Sequence, residues 1–86
     1  GYTRLVVELA DLPGHPAREI ARRHKSSLEK QLADVLEVAG IADSAECARE
    51  LWLLIEGAMV SILIHGDRDY IGRATRAGKL IVSSRQ

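Results

Sequence analysis

The chain has 86 residues and twelve Lys+Arg against twelve Asp+Glu, which makes one small domain without the clustered positive charge that displaces counterions from nucleic acid. Its single cysteine, Cys47, excludes an internal disulfide, and the opening GYTRLVVELAD is not a signal peptide, so the expected location is the cytoplasm. Phe is absent and the aromatics are Tyr2, Trp52 and Tyr70, which leaves Leu, Ile, Val and Ala to build the core, residues that pack well between helices.

Leu5, Val6, Leu9 and Leu12 have the spacing of a short amphipathic helix over 2–12, with a strand as the alternative because Val6 and Val7 are β-branched. Pro13-Gly14-His15-Pro16 breaks that pattern. Pro16 suits the first position of a new helix, where its missing N–H costs nothing. From Pro16 to Ala39 the apolar residues Ala17, Ile20, Ala21, Leu28, Leu32, Val35, Leu36 and Ala39 step by three and four, and His24 sits in the one gap. Arg18, Arg22, Lys25 and Glu29 occupy the opposite, solvated face. Gly40 followed by Ile41 predicts a helix stop in which glycine takes the left-handed position and the next apolar residue folds back.

Asp43 restarts a helix, with Glu46 three residues on in a capping-box pattern. The helix that follows contains the run Leu51 to Ile64, LWLLIEGAMVSILI, apolar on almost every side. A surface helix shows one apolar stripe about 100° wide, and a membrane span needs roughly 20 residues; this run is therefore enclosed by partners and spans no membrane. On a helical wheel Leu51, Ile55, Ala58 and Ile62 fall together while Leu53, Gly57 and Ile64 lie elsewhere, so there are two apolar sides. Gly66 ends the helix, and Asp67 or Asp69 caps a last one from about Arg68 to Ser83, striped by Tyr70, Ala74, Ala77 and Ile81. No period-two alternation persists. The fold class is all-α, a small antiparallel bundle of about four helices.

Small residues recur four apart at Gly57 and Ser61 and again at Ala74 and Gly78, a spacing that lets two backbones approach closely. It reads as a contact between chains, with the same contact inside one chain as the alternative. Glu56 is the one acid inside the apolar run and must find a partner, a solvent opening or a ligand; it reads as a rim carboxylate near Arg49 or as part of a pocket with Trp52 and Met59. His15, His24 and His65 lack the spacing of a metal site, which needs three or four converging ligands. His24 reads as a hydrogen-bonded core residue or a ligand contact, and His65 as favoured by the dipole at a helix end. No nucleophile setting and no phosphate loop is present, so neither catalysis nor a cofactor is expected.

HPAREIARRHKSSLEKQL, AGIADSAECARELWLLIEGAMVSILIHGD and YIGRATRAGKLI, in this order, resemble the C-terminal regulatory and dimerisation half of TetR-family transcriptional repressors. The resemblance implies that residues 1–86 are one regulatory piece whose last two helices pair with those of a second copy as an intermolecular four-helix bundle. It assigns that homodimer interface to Leu54, Gly57, Ala58, Ser61, Ile62, Tyr70, Ala74, Ala77, Gly78 and Ile81. It assigns a pocket for a lipophilic small-molecule effector to His24, Leu28, Trp52, Glu56 and Met59. DNA would be reached only through the family's N-terminal helix-turn-helix domain, which is missing here. A stand-alone helical homodimeric module with no small-molecule ligand is the competing expectation.

Overall fold

A computed structural model describes Arg4 and residues 16–86. Arg4 apart, the helix expected over 2–12 lies outside the described residues. Among the described residues there is no strand, and the chain runs through α1 (Pro16–Val38), α2 (Ser44–His65) and α3 (Asp69–Ser83). The described residues are all-helical as their periodicity requires, and three of the about four expected helices fall among them. None of them is long and apolar enough to cross a membrane.

Each helix end has a local cause. Pro16 opens α1, and Glu19 in its first turn pairs with Arg22 at 2.6 Å and Arg23 at 3.1 Å. At the other end Gly40 takes a φ of 80°, the Ile41 N–H donates to Leu36 O at 3.0 Å, and the Gly40 N–H donates to Glu37 O at 3.0 Å. These are the two bonds of a Schellman stop, and Leu36 and Ile41 are both buried, supplying its apolar contact. Gly66, at φ 67°, ends α2 by donating its N–H to Ile62 O. The Asp67 carboxylate accepts the Asp69 N–H at 2.9 Å at the start of α3. The capping box at Asp43 does not form: Asp43 is itself left-handed, at φ 50°, and its side chain makes no cap hydrogen bond. A left-handed backbone at that position turns the carboxylate away from the first-turn N–H groups, so it reaches Arg85 at 3.6 Å instead.

Both α1 and α3 pack along α2 and scarcely touch each other. Lys25 of α1 meets Glu56 of α2, and Glu29, one turn further along α1, meets Arg49, two turns back along α2, so the two helices run antiparallel. The extents are 39 × 31 × 14 Å, and because a helix with its side chains is about 10–12 Å across, the three helices form a single layer. The core sits at one end of it, where Leu36, Ile41, Cys47 and Ala48 are buried with Leu51, Ile81 and Val82 against them. A clasp closes that end. The Ala42 N–H donates to Arg85 O at 3.0 Å, and the Arg85 guanidinium binds the Glu50 carboxylate, which raises the arginine's pKa above its usual range.

A single layer leaves apolar surface uncovered. Met59, Leu63, Ile64 and Ile71 are all more than half exposed, as are Leu53 and Leu80.

Candidate functional site

The two apolar sides of α2 read from the wheel lead to two different surfaces. Leu51, Ile55, Ala58 and Ile62 share one groove with Leu54 and Met59. Leu32 of α1 forms one bank, and Ile71, Ala74, Thr75 and Gly78 of α3 form the other. Its volume is about 400 Å³, within the range of roughly 300–1,000 Å³ usual for small-ligand sites. On the other side of the α2–α3 pair lies a shallower depression of about 360 Å³, bordered by Leu53, Gly57, Ser61, Tyr70, Arg73 and Ala77. Leu54, Ala58 and Ala74 border both.

The first groove is chemically bare. Thr75 is the one polar side chain in its wall, and its hydroxyl already donates to Ile71 O at 2.9 Å. The Thr75 oxygen can still accept one hydrogen bond, but no side chain there carries a charge. The wall attracts only apolar surface, through the hydrophobic effect and dispersion.

The structure gathers the expected pocket residues only in part. Met59 lines the groove and is 60% exposed at its rim. His24 lies on the exposed side of α1, while Leu28 and Trp52 are half-buried away from the groove. The Trp52 Nε1 is buried and has no hydrogen-bond partner. Glu56 sits on the seam between α1 and α2, where Lys25 reaches it at 3.2 Å, and its side chain remains 43% exposed. Its partner is thus Lys25; Arg49 turns to Glu29 at 3.5 Å. The physical reason is angular. Positions 52 and 56 lie about a quarter turn or more around the helix from Leu51, toward α1 rather than toward the groove.

The expected interface residues divide between the two surfaces. Leu54, Ala58, Ile62, Ala74 and Gly78 line the groove, whereas Gly57, Ser61, Tyr70 and Ala77 border the shallower side. Ile81 packs against the core at the clasp end. A Cβ built on Gly78 would stand 3.3 Å from Leu51 Cδ2, but one on Gly57 would meet nothing within 4 Å. Gly78 is therefore packed under the Leu51 side chain of its own chain, while the space beside Gly57 is open among the described residues. Tyr70 stacks on His65, with ring centroids 5.6 Å apart, and Arg73 lies over the Tyr70 ring at 5.3 Å.

Sequence reasoning missed Leu32, Ile71 and Thr75 as groove residues. Each sits on an apolar stripe at helical spacing, which marks it as inward-facing, but which stripe meets which is decided by how α1 and α3 flank α2. Among the described residues no three His, Cys, Asp or Glu side chains are placed to hold a metal ion. Comparison of the chain with protein-family models, with curated proteins and with solved structures finds no match.

Proposed function

We propose that the chain is the effector-sensing and homodimerisation domain of a TetR-like transcriptional repressor, with no catalytic activity and no DNA binding of its own. Contact with the operator belongs to a helix-turn-helix domain elsewhere in the parent protein. The observation that carries this reading is the bare apolar groove along α2 and α3, left open by a layer one helix thick. The resemblance in sequence supplies the biological setting, and the groove supplies the physical need for a partner. Two copies pairing through α2 and α3 would complete a four-helix bundle. An effector acts in such a protein by differential affinity for two arrangements of the dimer, which sets the spacing of two DNA-reading heads on half-sites about 34 Å apart.

Sedimentation of the 86-residue chain tests the reading: a reversible dimer in the micromolar range is expected, and a well-folded monomer throughout would remove it. That Thr75 is the one polar side chain in the groove wall favours a second reading, a stand-alone helical dimer without a ligand, because ligand sites ordinarily hold a few placed polar groups. A thermal-shift screen with neutral lipophilic compounds separates the two. A rise in melting temperature that follows ligand concentration supports sensing, and no shift across the screen leaves the ligand-free module.

A further inference from the structure

Every buried side chain among the described residues lies at the clasp end of the layer. At the opposite end residues 20–27 of α1 are all exposed, the apolar Ile20 and Ala21 among them, and so are Met59 and Leu63 of α2 and Ile71 of α3. Residues 1–15 join the chain at that end, because α1 runs antiparallel to α2 and its first residue, Pro16, therefore lies toward the C-terminal turns of α2. We infer that residues 2–12 of this same chain fill the groove as a helix, with Leu5, Leu9 and Leu12 set against its α2 floor. The inference goes beyond the reading above. The groove's need for a partner is met within the chain, and the surface left to a second copy is the other side of α2, where the space beside Gly57 is open among the described residues.

Pattern, length and attachment select this occupant. Leu5, Leu9 and Leu12 stand at i, i+4 and i+7, the anchor spacing of a helix that lays its apolar face in a groove. At about 100° per residue Val6 falls within about 60° of Leu9, while Arg4, Glu8 and Asp11 fall together on the other side of the wheel. Arg4, the one described residue of this segment, is helical and exposed, as that wheel requires. Eleven residues of helix span about 16 Å, and the α2 residues of the groove, from Leu51 to Ile62, cover the same length of axis.

The link decides which side of the layer the segment reaches. Residues 13–15, fully extended, span about 10 Å, enough for the roughly 8–10 Å between the axes of packed helices, which keeps the segment beside α1. Of the surfaces beside α1, the groove offers Leu32 as an apolar bank. The seam on the other side of α1 and α2 is lined by Arg22, Lys25, Glu29 and Arg49, where three leucines would lie against charge, and the shallower depression has no α1 residue on its border. Covalent connection then decides against a competing chain. A segment on so short a link meets the groove at an effective concentration in the millimolar range, about a thousandfold above that of a second copy present at micromolar concentration.

Met59 is the chain's single methionine and lines the groove, so its ε-methyl group gives one isolated NMR signal from the wall. The test uses the full 86-residue chain with isotope-labelled Met and Leu methyl groups, alone and diluted into an excess of unlabelled chain, which silences contacts between copies. Nuclear Overhauser effects from the Met59 methyl to the methyls of Leu5, Leu9 or Leu12 are expected, and they should survive the dilution. Leu9→Asp should abolish them, shift the Met59 signal and lower the melting temperature by at least roughly 5 °C. Val7→Asp, beside Asp11 on the wheel, should leave the Met59 signal in place. If the native chain shows no effect between Met59 and residues 2–12, the inference is overturned, whether or not Leu9→Asp folds. Effects that vanish on dilution put a second copy in the groove, which overturns the inference and leaves dimerisation standing. A chain that sediments as a monomer and keeps the effects supports the inference and removes the dimerisation reading.

Discussion

Gly57 and Gly78 lie on α2 and α3, both inside helices, and the structure sets opposite outcomes for enlarging them. A Cβ at Gly57 meets nothing within 4 Å, so Gly57→Ala adds no clash and gains the full helix-propensity difference, about 0.8–1.0 kcal/mol. For a domain of this size such a gain raises the melting temperature by roughly 4–8 °C. At Gly78 the new Cβ would already stand 3.3 Å from Leu51 Cδ2, with Leu54 Cδ1 at 4.0 Å. Alanine there is nearly neutral, its propensity gain offset by the shift Leu51 must make. Leucine overpacks the α2–α3 contact at a cost of about 1–3 kcal/mol. Thermal and urea unfolding followed by circular dichroism, at concentrations where sedimentation reports monomer, measure all three variants. A loss of stability in Gly57→Ala at those concentrations would refute the reasoning, because it would mean that position 57 faces an atom of its own chain. The same variant has a second use: if the outer side of α2 carried the subunit contact, the added methyl would weaken the dimer even while stabilising the monomer.

Asp43→Gly removes a left-handed L-residue, a conformation that costs about 1–2 kcal/mol, and gives up only an exposed carboxylate 3.6 Å from Arg85; urea unfolding should show stability unchanged or higher by up to about 1 kcal/mol, and a loss beyond that would show the carboxylate to be essential to the clasp. Trp52→Phe takes away a buried N–H that has no partner, an omission worth about 1–3 kcal/mol, so stability should stay within about 1 kcal/mol of the native chain while Trp52→Ala loses at least about 2 kcal/mol of packing. Equal losses from both would show that the indole nitrogen has an acceptor. Hydrogen bonds from Arg22 and Arg23 hold the Glu19 carboxyl below its ordinary 4.5. The contribution of these pairs is then complete above pH 4.5 and is lost as pH falls through the lowered folded value; an NMR titration of Glu19 with a midpoint at or above 4.5 would contradict it.

Helix content and helix ends were open to sequence reasoning because their causes are local. The 3.6-residue spacing of apolar positions, Pro16 at a helix start, Gly40-Ile41 and Gly66 at helix stops, and the carboxylate of Asp67 before α3 each act within one or two turns of chain. The two apolar sides of the Leu51 to Ile64 run were legible for the same reason, since a wheel needs only the chain's own period. Asp43 is the local exception. Its composition predicts a cap, but the tight link from Gly40 to Ser44 places its backbone in the left-handed region, and the clasp with Arg85 comes from the far end of the chain.

Composition and periodicity by themselves determined that the described residues are helical and that α2 is apolar on two sides. Only the tertiary structure decided which residues face one another. It set α1 and α3 on either side of α2 in a single layer, drew Leu32, Ile71 and Thr75 into the groove with Met59, left Trp52 and Glu56 on the α1 seam, and packed Gly78 under Leu51 of its own chain. Helical spacing places a side chain around its own axis to within a fraction of a turn. The angle at which one helix meets another depends on residues far apart in sequence, and that angle is what turns two apolar stripes into one site.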